Sequence, residues 1–263
     1  FASGCAMIFG KNKSLACFKP NPAAALRLIC FPCAGGGASM YRRWAEISSD
    51  VEVWAVNYPG RESLHDQPFA DSTDALVELI LENLDVFKAK PMVLYGHSFG
   101  AFVAFDCAYK LQQLGVTPKG LVVSARRAPQ LAAQFLITDM PEKSFVDELD
   151  RLGGLPDAIR NSQEMMDFYL PIIKADLYLN DHCLVPATAK VDCPICLYSA
   201  TKDKVADRTE LEAWRDVTTA HFQHKTFEGG HFFIQDQVEL FLASLKPVLL
   251  SYGQESDEDL IAF

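Results

Sequence analysis

Met92-Val93-Leu94-Tyr95-Gly96-His97-Ser98-Phe99-Gly100-Ala101 is the stretch on which the fold turns. It begins as a short apolar run suited to a buried strand, and from Phe99 to Leu114 it takes on the longer rhythm of a helix. Between the two, Gly96-His97-Ser98-Phe99-Gly100 spells G-x-S-x-G. A strand, this pentapeptide and then a helix predict a sharp turn that holds a strained serine with its hydroxyl exposed. Glycines on either side let the strand and helix backbones approach. The helix N-terminus then turns free N–H groups toward the site, where they favour developing negative charge. The pentapeptide alone recurs by chance and in structural turns. The elements around it make Ser98 the candidate nucleophile.

Outward from this turn, short apolar runs alternate with longer amphipathic ones, the pattern of a mostly parallel sheet flanked by helices. Strands are expected at Leu26–Phe31, Val51–Asn57, Met92–Gly96, Leu121–Ser124, Ile195–Ser199 and Phe222–Phe227. A weaker one, Leu15–Phe18, is placed antiparallel to the first of these. Helices are expected at Ser39–Ser48, Ser72–Lys88, Phe99–Leu114, Asp207–Thr218 and Gln235–Leu250. The second carries Ala75, Leu76, Leu79, Ile80, Leu84 and Phe87 along one apolar stripe. From about Gln134 to Val191 no strand is expected, only helical text broken at Gly153-Gly154, Pro156, Pro171 and Pro186, which reads as a helical lid inserted over the sheet. Its apolar residues, Met165 and Phe168 among them, either hold the lid together or line an acyl channel. No repeat or Gly/Ser linker divides the chain, so residues 1–250 are expected to form one domain, followed by an acidic tail at 251–263 without fixed structure.

A serine on such a turn in such a sheet is the α/β-hydrolase arrangement, in which the acid and then the histidine follow the nucleophile along the chain. His231 fits that order, in Gly229-Gly230-His231-Phe232-Phe233 between the last strand and the last helix. His221 and His224 lie at the start of or within that strand, the turn points His97 away, and His65 and His182 carry no motif. The acid should leave the preceding strand, which favours Asp203 in Thr201-Lys202-Asp203. Its rival, Asp207, opens the next helix, where a carboxylate complements the dipole. Oxyanion donors are expected from the N–H of Phe99 and, in the glycine-rich loop Phe31-Pro32-Cys33-Ala34-Gly35-Gly36-Gly37, from that of Ala34. That loop lacks both the G-x-G-x-x-G order and the G-K-[ST] of a nucleotide site.

A net charge of −10 argues against nucleic acid as a partner, because little here would displace counterions from phosphates. The first residue is Phe, so the chain is expected to have been trimmed at its start. Its opening is a poor signal peptide, and no apolar run spans a bilayer. Cys30–Cys33 and Cys193–Cys196 have C-x-x-C spacing, which admits zinc or redox readings. Both sit in strand-like runs where residues three apart point to opposite faces, so buried thiols are expected, with no metal, in the reducing cytosol.

The ordered stretches Cys30-Phe31-Pro32-Cys33-Ala34-Gly35-Gly36, Tyr58-Pro59-Gly60-Arg61-Glu62, Gly96-His97-Ser98-Phe99-Gly100, Ser124-Ala125-Arg126-Arg127-Ala128-Pro129, Pro171-Ile172-Ile173-Lys174-Ala175-Asp176 and Gly229-Gly230-His231-Phe232-Phe233 resemble the type II thioesterases, stand-alone partners of fatty-acid, polyketide and nonribosomal peptide synthases. Cys33, where an aromatic is expected, and Phe99, where Met is common, depart from the family without removing a catalytic atom. The resemblance implies hydrolysis of acyl thioesters on the phosphopantetheine arm of an acyl or peptidyl carrier protein, with no cofactor of the enzyme's own. Arg61, Arg126 and Arg127 follow strands at their functional ends. They are expected either to contact the acidic carrier or its phosphate, or to serve internal ion pairs and turns. A small-ester esterase, an inactive binding protein on the same fold and an acyltransferase are the rival readings.

Overall fold

The computed structural model describes residues 7–254. Strands β1 (Ile8–Phe9), β2 (Leu15–Cys17), β3 (Leu26–Phe31), β4 (Val51–Val56), β5 (Met92–His97), β6 (Gly120–Ser124), β7 (Ile195–Ala200) and β8 (Phe222–Phe227) form one sheet in the order β1-β2-β4-β3-β5-β6-β7-β8. From β4 to β8 every neighbour is parallel. Every residue of β3, β5, β6 and β7 is buried, which is why these strands read as continuous apolar runs and not as alternating ones. The expectation for Leu15–Phe18 needs correcting: β2 pairs antiparallel with β4, Leu15 opposite Val56, and not with β3. Both edges of β3 are already taken by its parallel neighbours β4 and β5.

Helices α1 (Thr73–Leu81), α2 (Leu84–Lys88) and α3 (Phe99–Gln113) precede the lid helices α4 (Glu142–Arg151), α5 (Asp157–Arg160) and α6 (Gln163–His182). After β7 come α7 (Arg208–Glu212), α8 (Phe233–Asp236) and α9 (Val238–Gln254). The segment Ala38–Glu46 is a 3-10 helix. One apolar layer joins α1 and α3 to the sheet through Leu76, Ile80, Phe102, Phe105, Leu94 and Trp214. The other joins Ala38–Glu46 and α9 through Trp44, Tyr95, Tyr198, Phe241 and Leu245. The expected helix Ser72–Lys88 is broken at Asn83, a fully buried residue. Its amide donates to Asn12 Oδ1 at 2.8 Å, Ser14 Oγ at 2.9 Å and Ile80 O at 3.1 Å. The expected Asp207–Thr218 is likewise split into α7 and a 3-10 turn, Ala213–Val217. Helix α9 runs on to Gln254, past the expected domain end at 250. The rest of the expected tail lies outside the described residues.

Candidate active site

Ser98 stands between β5 and α3 with φ 54° and ψ −123°, a conformation that L-residues rarely adopt. The two motif glycines permit it. A Cβ on Gly96 would lie 2.1 Å from Gly100 O, and one on Gly100 would lie 2.1 Å from Phe31 O. Any larger residue would push α3 away from both strands. The tight turn therefore exposes the serine and also sets the start of α3 against the end of β3, bringing the loop after β3 alongside the hydroxyl.

His231 arrives from the loop between β8 and α8, and Asp203 from the loop after β7. His231 Nδ1 lies 2.9 Å from Asp203 Oδ2, and His231 Nε2 lies 3.1 Å from Ser98 Oγ. An ionised carboxylate can only accept, so Nδ1 carries the proton and Nε2 is left to accept from the serine. Both side chains of the His231–Asp203 pair are 7% exposed, and Val205 N–H donates to the second Asp203 oxygen at 3.0 Å. Asp207, the rival acid, is occupied elsewhere. Its carboxylate accepts from Glu210 N–H at 2.8 Å while Glu210 accepts from Asp207 N–H, a reciprocal cap on α7.

A second Ser–His–acid line lies between β7 and β8. Ser199 Oγ is 2.8 Å from His224 Nε2, and His224 Nδ1 is 2.8 Å from Glu212 Oε1. Ser199 is the last residue but one of β7 and is buried. A substrate carbonyl cannot reach it there, and the line serves to tie α7 to the sheet.

Ser98, His231, Ala34 and Cys33 open onto a cavity of about 390 Å³ beneath the lid. Phe99 is the first residue of α3, so its N–H has no carbonyl one turn back, and Ala34 lines the same cavity as Ser98. The lid gives the cavity Leu149, Leu152, Ile173 and Leu177 as its apolar wall. Met165 and Phe168 do not line it: they are 36% and 57% exposed on the outside of α6, because the inward stripe of that helix passes through Ile173 and Leu177 instead.

Arg61 and Arg126 also need correcting as carrier contacts. Arg61 is 5% exposed and pairs with Asp176 of α6. Arg126 is 2% exposed. It donates to Asn180 Oδ1, Arg127 O and Cys183 Sγ, lies over the Phe102 ring, and is pushed down to about 10 by burial. Arg127 faces the cavity and not the outer surface, and donates to the carbonyls of Leu131 and Asn180.

His97 points away from Ser98 but packs beneath His231, with ring centroids 5.2 Å apart. It is fully buried, its Nδ1 lies 2.8 Å from Ser124 Oγ, and burial holds its pKa well below the usual 6.5. The ring under His231 is therefore held in its neutral form. Sequence reasoning gave neither His97 nor Asp176 a part in the site: His97 was set aside as a base, and Asp176 appeared only as the end of a quoted stretch. Of the cysteines, Cys193 belongs to one apolar layer and Cys196 to the other, so the C-x-x-C spacing sets them on opposite faces. Among the described residues no group of three metal-ligating side chains forms, and no helix is long and apolar enough to cross a membrane.

A mostly parallel sheet, a serine on a strained strand-to-helix turn and a buried His–Asp pair aligned on it define an α/β-hydrolase with a helical lid. Residues 26–248 match the model of the thioesterase domain, and the chain belongs to that family. Thioesterase PikA5 of Streptomyces venezuelae is 35% identical over 223 residues, covering 84% of this chain and 79% of that protein. RedJ, a thioesterase from the prodiginine biosynthetic pathway in Streptomyces coelicolor, superposes with a TM-score of 0.80 at 33% identity, over 87% of this chain and 92% of that one. The type II thioesterase BorB from the borrelidin biosynthetic cluster gives 0.82 at 28% identity, over 92% and 99%. The protein is thus a hydrolase acting on thioesters, and its likeness is to type II thioesterases.

Proposed function

We propose that the enzyme removes acyl groups from the phosphopantetheine arm of an acyl or peptidyl carrier protein, in editing or chain release by a synthase. The observation that carries this reading is the Ser98–His231–Asp203 line opening onto a lidded, partly apolar cavity in a chain of the thioesterase family. Two of its relatives come from a prodiginine pathway and a borrelidin cluster, which supports a carrier-bound substrate.

Ser98 Oγ attacks the thioester carbonyl while His231 Nε2 takes its proton, and Asp203 steadies the imidazolium through Nδ1–H. The N–H groups of Phe99 and Ala34 hold the oxyanion. Collapse expels the pantetheine sulfur, which takes the proton from His231 and so restores the neutral base, and leaves with little help because its pKa is about 8.5. Water then gives a proton to His231 and attacks the acyl-serine. The second collapse releases the carboxylic acid and returns the proton to Ser98. The chain's own residues supply every group, and pantetheine belongs to the substrate. The buried thiols of Cys30, Cys107, Cys183, Cys193 and Cys196 accord with a reducing cytosolic setting.

Mass spectrometry after mixing the enzyme with a panel of acylated carriers is the test. Free acid and unloaded carrier are expected, with Ser98→Ala inert. Turnover of p-nitrophenyl esters alongside untouched acyl carriers would replace this reading with an esterase.

A further inference from the structure

The oxyanion loop is held from two sides. On the body side, Tyr41 Oη donates to Phe31 O at 2.8 Å and Tyr58 Oη to Pro32 O at 2.9 Å. Beyond Ala34 the holding groups belong to the lid and its partner. Gly35 N–H donates to Asp176 Oδ2 at 2.8 Å, and Arg61 Nη1 donates to Gly36 O at 3.3 Å. Arg61 meets Asp176 as a fork, Nη1 on Oδ2 and Nη2 on Oδ1, the latter at 2.8 Å. Both side chains are 6% exposed. Ile173, one turn before Asp176 on α6, closes over the same loop. A Cβ on Gly35, which has φ +77°, would lie 2.5 Å from Ile173 Cγ1.

A buried ion pair is commonly no more stabilising than apolar residues of the same volume, so stability alone does not account for this one. What the pair does locally is fix the N–H of residue 35 and the carbonyl of residue 36, immediately after the peptide that presents the Ala34 N–H. We propose that Arg61 and Asp176 are positioning residues that couple the lid helix α6 to the oxyanion loop and set the aim of the Ala34 N–H. The inference rests on the hydrolytic reading above. The middle of α6 is then a fixed anchor. A lid shift at that point would also misalign an oxyanion donor, so catalysis would be linked to lid position.

The test is the double variant R61M/D176L, which replaces the pair by apolar side chains and leaves Gly35 N–H and Gly36 O without partners. Exchanging the ion pair for apolar residues is near neutral, but the two orphaned backbone groups cost stability, so the double variant is expected to fold with a lowered Tm. With an acyl-pantetheine thioester as substrate, kcat should fall about 10²-fold with KM little changed, the size of losing one oxyanion donor. Affinity for a trifluoromethyl ketone, whose adduct places an oxyanion there, should fall in proportion. R61K keeps the charge but loses the fork, and should lie between the two. A folded double variant with wild-type kcat and ketone affinity, or a loss confined to KM, would overturn the proposal. If the double variant does not fold, R61K decides by the same two readouts. Wild-type enzyme that labels at Ser98 with a fluorophosphonate but leaves thioesters intact would instead sink the hydrolytic reading.

Discussion

Asp203 and Asp207 differ in what their carboxylates hold, and that difference is measurable. Asp203→Asn removes the acceptor that fixes the His231 tautomer, and kcat should fall by up to about 10⁴. Asp207→Asn alters a helix cap at the edge of the cavity, a matter of about 1 kcal/mol or less in stability, and turnover should stay near wild type. Steady-state kinetics on both variants check the assignment, and the reverse order would move the acid to Asp207. His97 makes a different kind of prediction. Burial holds its folded-state pKa well below 6.5, so below pH 6.5 the unfolded chain takes up a proton that the folded chain refuses. Its stabilising share is complete above that pH and is lost as pH falls toward the folded value, at up to about 1.4 kcal/mol per pH unit. Urea unfolding between pH 5 and 8 should show this slope in wild type and a slope shallower by one proton in His97→Gln. Equal slopes would mean that the ring is charged or open to water in the fold.

At the level of elements, the legible parts were those whose cause is local. Strand β3 was bounded correctly because an apolar run ends at a Pro-Gly loop, and α3 because the motif serine starts it. The break between α1 and α2 was not legible. The apolar stripe continues across Asn83, and the residues that capture its amide, Asn12 and Ser14, are about 70 positions away. The edge partner of β2 was hidden for the same reason, since nothing in its own letters distinguishes β3 from β4. The lid was legible as an insertion, but its inward face was not. Met165 and Phe168 are more hydrophobic to the eye than Asp176, yet Asp176 is the residue turned inward. Asn83→Ala tests whether the break is held by that network. Removing the amide takes a donor from the buried Ser14 hydroxyl and from half-buried Asn12, so a loss of about 1–3 kcal/mol is expected in urea unfolding, with kcat unchanged. A neutral result would place the cause of the break in the backbone of α1 instead.

Across the whole molecule, the two apolar layers share a single sheet, and the cysteines distinguish one face from the other. Cys193 and Cys196 are three positions apart, both essentially without exposure, one in each layer. Burial pushes both thiols up to about 12, as it does Cys33, so neither is an available thiolate at neutral pH. Reaction with a thiol reagent therefore requires opening of the face on which each lies. Because β7 pairs in parallel on both sides, with β6 and with β8, stripping helices from one face would leave the strand held while exposing only one of the two thiols. A molecule that unfolds as one cooperative unit instead exposes both at the same rate. The single sheet and the continuous burial of its central strands favour the second course. Pulse labelling with excess maleimide, read by peptide mass spectrometry, should give equal slow rates at Cys193 and Cys196 in native buffer, with both labelling at once in urea. Faster modification of Cys196 would show that the α9 face opens independently, and faster modification of Cys193 would show the same of the α3 face.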